Sequence, residues 1–269
     1  MSTLLQISDL HFGTEQPEVM AALLKLAQEQ RCNLVVLSGD ITQRARAAQF
    51  AAAREFVDRF NLPFVAIPGN HDIPLFNLWA RFMRPYRGHI AAFGNDLEPV
   101  HSSDDLIVIG VNTTRRYRHK NGEVSAAQIL RIAQILERSS AAQLRVIVVH
   151  QPVAVTRDED ITNLLRGREA ALERWSAAGA DIVMGGHIHL PYVLKLSTLK
   201  RPMWAVQAGT AVSSRIREGI PNSVNLLRWG PGSIEDCCVV ERWDYSNAEQ
   251  AFLRGMITTL NVDRSHATA

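Results

Sequence analysis

Five short segments of this 269-residue chain place acids, imidazoles and an amide directly after apolar runs. Asp9 and His11 follow "TLLQIS", Gly39 and Asp40 follow "LVVLS", and Asn70, His71 and Asp72 follow "FVAIPG". His150 ends "RVIVVH", while His187 and His189 follow "DIVMGG". Carboxylates, neutral imidazoles and an amide oxygen make a mixed nitrogen and oxygen donor set suited to Mn, Fe, Zn or Co. The absence of cysteine from that set argues against a structural zinc site. Six or seven donors are too many for one ion that keeps open positions, and they suit two ions bridged by a shared carboxylate. Taken singly, each residue has a plainer reading. An Asp before a helix is ordinarily an N-cap, a strand-end His is ordinarily structural, and Gly-Asn-His-Asp between prolines is a good turn. The repetition after five apolar strands in succession is what favours a site.

Those residues need elements to position them. "TLLQIS" (3–8), "LVVLS" (34–38) and "FVAI" (64–67) read as strands, separated by helices starting near Pro17 and carrying Phe50, Ala53, Val57 and Phe60 on one face. This βαβαβ rhythm predicts right-handed crossovers and a parallel sheet covered on both faces, with ligands at the C-terminal strand ends. Residues 74–99 are irregular and aromatic, and read as a side loop or lid with short helices. Its aromatics could cover a base, although packing is the ordinary reading for aromatics beside a sheet. "LIVIGV" (106–111) is a further strand, Ser125 and Gln128 form a capping box for the next helix, and a helix near 170–178 precedes "DIVMGGH". The last third holds short strand-like runs, "YVLKLS", "PMWAVQ", "SVNLLRW" and "CCVVERW", which read as a second sheet packed on the first. The expected organisation is one domain over 1–244, then a C-terminal helix (248–258) and polar tail over 245–269.

Composition narrows the class. A formal net charge of +2 gives no global field for nucleic acid or an anionic membrane. Three cysteines, two of them adjacent, make a poor disulfide framework and favour a reducing, cytoplasmic setting. The N-terminus lacks a signal-peptide pattern, and no apolar run reaches the roughly 18–20 residues that span a bilayer.

Asp9-x-His11, Gly39-Asp40, Gly69-Asn70-His71-Asp72, His150 and Gly186-His187-x-His189 resemble the full signature of the calcineurin-like metallophosphoesterases, over residues 3 to 190. The resemblance implies an α/β fold, a four-layer α/β/β/α sandwich. It implies that Asp9, His11 and His189 hold one metal, that Asn70, His150 and His187 hold a second, and that Asp40 bridges them. It also puts His71 beside the leaving group, with Asp72 the natural candidate to orient the His71 ring. The implied cofactors are two ions (Mn2+, Fe2+/Fe3+, Zn2+ or Co2+), and the implied reaction is attack by a metal-bridged hydroxide on phosphorus.

The block "GDITQRA" keeps Arg44 but carries Gln43 and Ala45 where protein serine/threonine phosphatases and dinucleoside tetraphosphatases have Asp and Gly. No Tyr follows Asp40 closely, unlike the purple acid phosphatases. "QISDLHFG", "GDITQRA" and "GHIHLPY" look most like the bacterial cyclic-nucleotide and glycerophosphodiester phosphodiesterase branch. The expected substrate is therefore a small phosphodiester, with 3′,5′-cyclic nucleotides first. A nuclease on DNA or RNA and a broad-specificity phosphatase are the alternatives, and a hydrolase of a nucleotide-linked lipid is disfavoured. A non-catalytic scaffold would require missing ligands, and none is missing. Arg44 is a candidate substrate contact, and the basic loop 112–120 suggests a phosphate clamp through Arg115 and Arg116, its plainer reading being a solvated loop. Homo-oligomerisation is left open.

Overall fold

A computed structural model describes residues 2–230 and 237–263. Two six-stranded mixed sheets face one another. The first contains β1 (Ser2–Ile7), β2 (Leu34–Leu37), β3 (Phe64–Ala66), β10 (Ser223–Trp229), β11 (Cys237–Ser246) and β12 (Ala251–Asn261), in the order β12-β11-β10-β1-β2-β3. The second contains β4 (Val100–Ser102), β5 (Leu106–Gly110), β6 (Leu144–Val148), β7 (Ile182–Gly185), β8 (Tyr192–Lys195) and β9 (Trp204–Gln207), in the order β4-β5-β6-β7-β9-β8. Strands β1, β2 and β3 run parallel, as do β5, β6, β7 and β9.

Side-chain alternation builds the layers. Leu4, Leu34 and Val36 of the first sheet meet Val146, Val148 and Met184 of the second in the central core. Their neighbours Leu5, Ile7, Val35 and Leu37 point the other way, onto α1 (Pro17–Glu29) and α2 (Ala47–Asp58). On the opposite side Ile147 and Val183 meet α5 (Ala126–Glu137) and α6 (Arg168–Ala177). Since strand side chains alternate between faces, an all-apolar strand such as "LVVL" must be covered twice, and helix-sheet-sheet-helix layering does that. Ser125 caps α5 by accepting from the Gln128 amide, as its capping-box sequence predicts.

Two expectations are corrected. The strands of the last third do not make a sheet of their own: β8 and β9 extend the second sheet, and β10, β11 and β12 extend the first. Strand patterning tells which face is apolar but not which partner lies alongside. The helix expected over 248–258 is instead β12, paired antiparallel with β11 from Ser246↔Ala251 to Cys237↔Asn261. Phe252 and Leu260 bury against the core, and the β-branched run Ile257-Thr258-Thr259 suits an extended backbone. The boundary expected at 244 thus falls inside β11. Residues 264–269, the end of the expected polar tail, lie outside the described residues.

The segment after β3 does contain short helices, α3 (Leu78–Met83) and α4 (Arg87–Phe93). Its aromatics divide: Phe93 packs on the core, while Phe76 and Trp79 are 79% and 63% exposed.

Candidate metal centre

The loops after β1 and β2 continue side by side beyond the strands. The amides of Asp9, His11 and Phe12 donate to the carbonyls of Gly39, Asp40 and Ile41. The backbone there is held in a rarely used conformation. Among the described residues nine non-glycine residues have positive φ, and five of them are Asp9, His11, Asp40, His187 and His189. Non-glycine side chains resist the left-handed region, so its concentration here marks a geometry enforced by the surrounding fold. Gly69 allows the third loop to approach, because a Cβ at that position would run into the Asp40 backbone and carboxylate.

The donors converge as two sets. His189 Nε2 lies 3.2 Å from Asp9 Oδ1 and 3.2 Å from His11 Nε2. His150 Nε2 lies 3.2 Å from Asp40 Oδ1 and 3.2 Å from Asn70 Oδ1, with the His187 ring 5.1 Å from the His150 ring. Asp9, His11 and His189 form one group of convergent ligand atoms, and Asp40, His150 and His187 form another. Asp40 also reaches towards the first set, with Oδ2 4.0 Å from His11 Nε2. The seven residues expected as ligands are all brought to one place.

The outer ring nitrogens are tied down. His150 Nδ1 meets the Ser38 carbonyl at 2.9 Å and His189 Nδ1 meets the Arg215 carbonyl at 2.6 Å. Donation of Nδ1–H to a carbonyl leaves Nε2 as the lone-pair donor aimed inward. The ring nitrogens of His187 are buried, yet neither has a hydrogen-bond partner. A buried unpartnered imidazole is costly, and a cation at the centre of these groups would satisfy it. The residues therefore fit two metal ions.

Burial works against every charge in this cluster. It pushes His11 and His187 down to about 3. At His150 burial is outweighed by Asp40 alongside, and the imidazole is pushed up to about 9. Burial would raise Asp40 and Asp9 as well, yet His150 and His189 hold those carboxyls below the usual range. Carboxylates that stay ionised in so dry a site need a positive counter-charge.

His71 stands at the rim, its ring 4.9 Å from that of His11 and its amide donating to Asp40 Oδ1 at 2.8 Å. The orienting role expected for Asp72 is corrected here. His71 Nδ1 pairs with the Gln43 carbonyl at 3.1 Å. The Asp72 carboxylate instead accepts from the amides of Ile41, Thr42 and Gly69 and from the Thr42 hydroxyl. It braces the second loop against the third. Burial and the Asp40 charge push it up to about 6.

The basic loop is spent on structure. The Arg115 guanidinium donates to the Asn112 and Thr114 carbonyls and to Gln128, and that of Arg116 donates to Phe82. Buried Arg81 ties the same loop to the aromatic segment through the carbonyls of Arg116, Arg118 and Pro74. Arg44 lies elsewhere, stacked 5.2 Å over Phe76. The cation at the metal cluster is Arg215, which the sequence reading missed. Its Nη1 is 2.7 Å from Gln43 Oε1 and 3.5 Å from both His71 Nε2 and His11 Nδ1. Arg215 follows β9 by eight residues in "GTAVSSRI", and position beyond a strand end was its only signal.

Comparisons with known proteins agree with this geometry. The chain is 25% identical over 202 residues to a probable cyclic nucleotide phosphodiesterase of Synechococcus, spanning 70% of this chain and 73% of that one. It is 26% identical over 159 residues to a probable glycerophosphodiester phosphodiesterase of Arcobacter nitrofigilis, covering 58% of this chain and 56%, a little over half, of that one. A dimetal phosphatase from Danio rerio shares the fold, with a TM-score of 0.67 at 14% identity over 97% of this chain and 99% of that one. The calcineurin-like phosphoesterase family matches residues 2–191, and the chain belongs to that family.

Proposed function

We infer that this chain is a metal-dependent phosphoric diester hydrolase working through two ions, and that 3′,5′-cyclic nucleotides are its first candidate substrates. The observation that carries the reading is Asp40, whose carboxylate lies between two sets of convergent donors. In this reading Asp9, His11 and His189 would hold one ion, Asn70, His150 and His187 would hold the other, and Asp40 would serve both. The donor chemistry admits Mn, Fe, Zn or Co. When bound, the two ions supply Lewis-acid polarisation of the phosphoryl oxygens and an acidified water.

The chain's own groups do the rest. The Gln43 carbonyl fixes the His71 ring and leaves Nε2 facing the rim. As imidazolium, His71 hands its Nε2 proton to the leaving oxygen, or stabilises it by a hydrogen bond. Arg215, beside that nitrogen, offers a guanidinium to a non-bridging phosphoryl oxygen. Arg115 and Arg116 drop out of the substrate assignment, since their guanidiniums are already used. The preference for diesters is supported by the names of the two curated relatives, one a cyclic nucleotide and one a glycerophosphodiester phosphodiesterase. Among the described residues no helix is long and apolar enough to cross a membrane.

The test is turnover of bis-p-nitrophenyl phosphate against p-nitrophenyl phosphate after Mn2+ loading, with Asp40→Ala as control. Diester preference that the control abolishes is the expected result. Monoester preference would move the assignment to a phosphatase. Two bound ions with no turnover of either ester would sink the small-diester reading in favour of a polynucleotide substrate.

A further inference from the structure

A cavity of about 920 Å³ lies against the His71 loop, between the turn before α2 and the segment 74–91. Asp72 forms part of its wall, and Arg44 follows the Gln43 carbonyl that holds His71. The volume is that of a small-molecule site. Its lining is chemically unusual: Arg44, Arg46, Arg84 and Arg87 contribute four cations, and Phe76 and Trp79 two aromatic rings. Among the described residues none of these arginines is ion-paired with a carboxylate. Asp72, the acid in the wall, already accepts four hydrogen bonds from the loops it braces.

Two of the arginines are stacked. The Arg44 guanidinium lies 5.2 Å from the Phe76 ring centroid and that of Arg84 5.8 Å from Trp79. Stacking occupies the face of a guanidinium and leaves its in-plane N–H groups free to bind a phosphate. The rings themselves, largely exposed on one side, offer π-faces. All four arginines are exposed, so their N–H groups are open to an anion and the attraction is one that salt screens. Aromatic platforms interleaved with unpaired arginines match a phosphate joined to a base.

We propose that this cavity is a nucleotide subsite, which takes the phosphate and base of the unit next to the scissile diester and so extends the substrate range to linear dinucleotides and short single strands. A cyclic nucleotide has one phosphate, which the metal centre would occupy, so it leaves the four arginines without a partner. The subsite rests on the phosphodiesterase reading for its place in the reaction but not for its binding chemistry.

Binding is measurable without turnover. Chelator-treated protein is titrated into a 3′-fluorescein, 5′-phosphorylated hexathymidylate, and anisotropy is followed at several salt concentrations. The double variant Arg84→Glu/Arg87→Glu should weaken binding at least tenfold and lower the slope of log Kd against log salt by about 1.4, since two phosphate contacts are lost. Trp79→Ala should weaken it about tenfold through lost stacking. Arg138→Glu, on the far helical layer, is the control for net charge. Equal affinity of all these proteins, or displacement of the oligonucleotide by polyglutamate as readily as by unlabelled strand, would overturn the subsite. The reaction reading is tested apart from it. Bis-p-nitrophenyl phosphate turnover by the Mn2+-loaded wild type, with binding unaffected by the variants, removes the subsite and keeps the phosphodiesterase. Loss of binding in the variants without any such turnover keeps the subsite and sinks the small-diester reading.

Discussion

Arg215 Nη1 lies 3.5 Å from His71 Nε2, although 144 residues separate them. The guanidinium is held by Gln43 Oε1, whose own main-chain oxygen holds the other nitrogen of the same imidazole. One glutamine thus sets both groups at the rim of the metal cluster. Arg215→Ala should lower kcat/KM for bis-p-nitrophenyl phosphate on the order of a hundredfold, the usual cost of one preorganised donor to developing charge. Arg215→Lys should recover part of it. The Arg215 carbonyl that binds His189 survives either change, so metal content should stay at the wild-type value. A parallel loss of metal in Arg215→Ala would show that the side chain supports the ligands and not the substrate.

Asp72 offers a sharper separation of stability from chemistry. Its two oxygens accept from three backbone amides and one hydroxyl, all buried. Asp72→Asn keeps the volume but turns one oxygen into a donor facing N–H groups, which leaves at least one amide unsatisfied. The expected loss is about 1–3 kcal/mol, read as a lower urea midpoint with unchanged m-value. Metal affinity should fall as well, because the Asp40 and Asn70 loops lose the brace between them. If instead the variant is as stable as wild type and only its leaving-group dependence changes, the earlier idea of Asp72 acting on His71 returns.

The candidate ligands were legible because strand ends in a parallel edge must meet, so the order of Asp9, His11, Asp40, Asn70, His150, His187 and His189 along the chain carried their convergence in space. Cover on both faces was legible in the all-apolar strands, while the helix-sheet-sheet-helix layering came from the family resemblance. What escaped depends on contacts without a local signature. The β11–β12 hairpin, closed by the short turn 247–250, overrides a segment of mixed propensity. Gln6 donates across the sandwich to the Gly185 carbonyl, and Asn225 links Gln6 to Gln207. That buried network ties the two sheets beneath the metal loops, and its members sit on four separate strands, β1, β7, β9 and β10. Arg215 belongs to the same class: a loop residue whose role exists only once the loop is placed.

The unpartnered imidazole of His187 predicts how the protein answers to metal removal. A ligand that binds only the folded state stabilises it by mass action. Chelation should therefore lower Tm by several degrees, and Mn2+ or Zn2+ should restore it. Elemental analysis should find two equivalents in the loaded wild type and fewer than two in Asp40→Ala. A Tm indifferent to chelator, with no metal found in the untreated protein, would remove the dinuclear centre from the account.

His89 carries the pH dependence that lies apart from the ligands. It sits in α4 between Phe50 and Phe93, fully buried, with neither ring nitrogen hydrogen-bonded. Burial pushes it down to about 4 from the ordinary 6.5. The unfolded chain therefore binds the extra proton first, and stability falls as pH drops. The contribution is fully present above pH 6.5 and is lost progressively between there and about 4. Between pH 7 and 5 the wild type should lose about 2 kcal/mol that His89→Leu does not. Other buried histidines titrate equally in both proteins, so the difference between the two urea midpoint curves isolates this one. Leu also removes two unsatisfied nitrogens, so the variant should be at least as stable as wild type at neutral pH. Parallel curves for the two proteins across this range would mean that the imidazole finds a proton partner in solution.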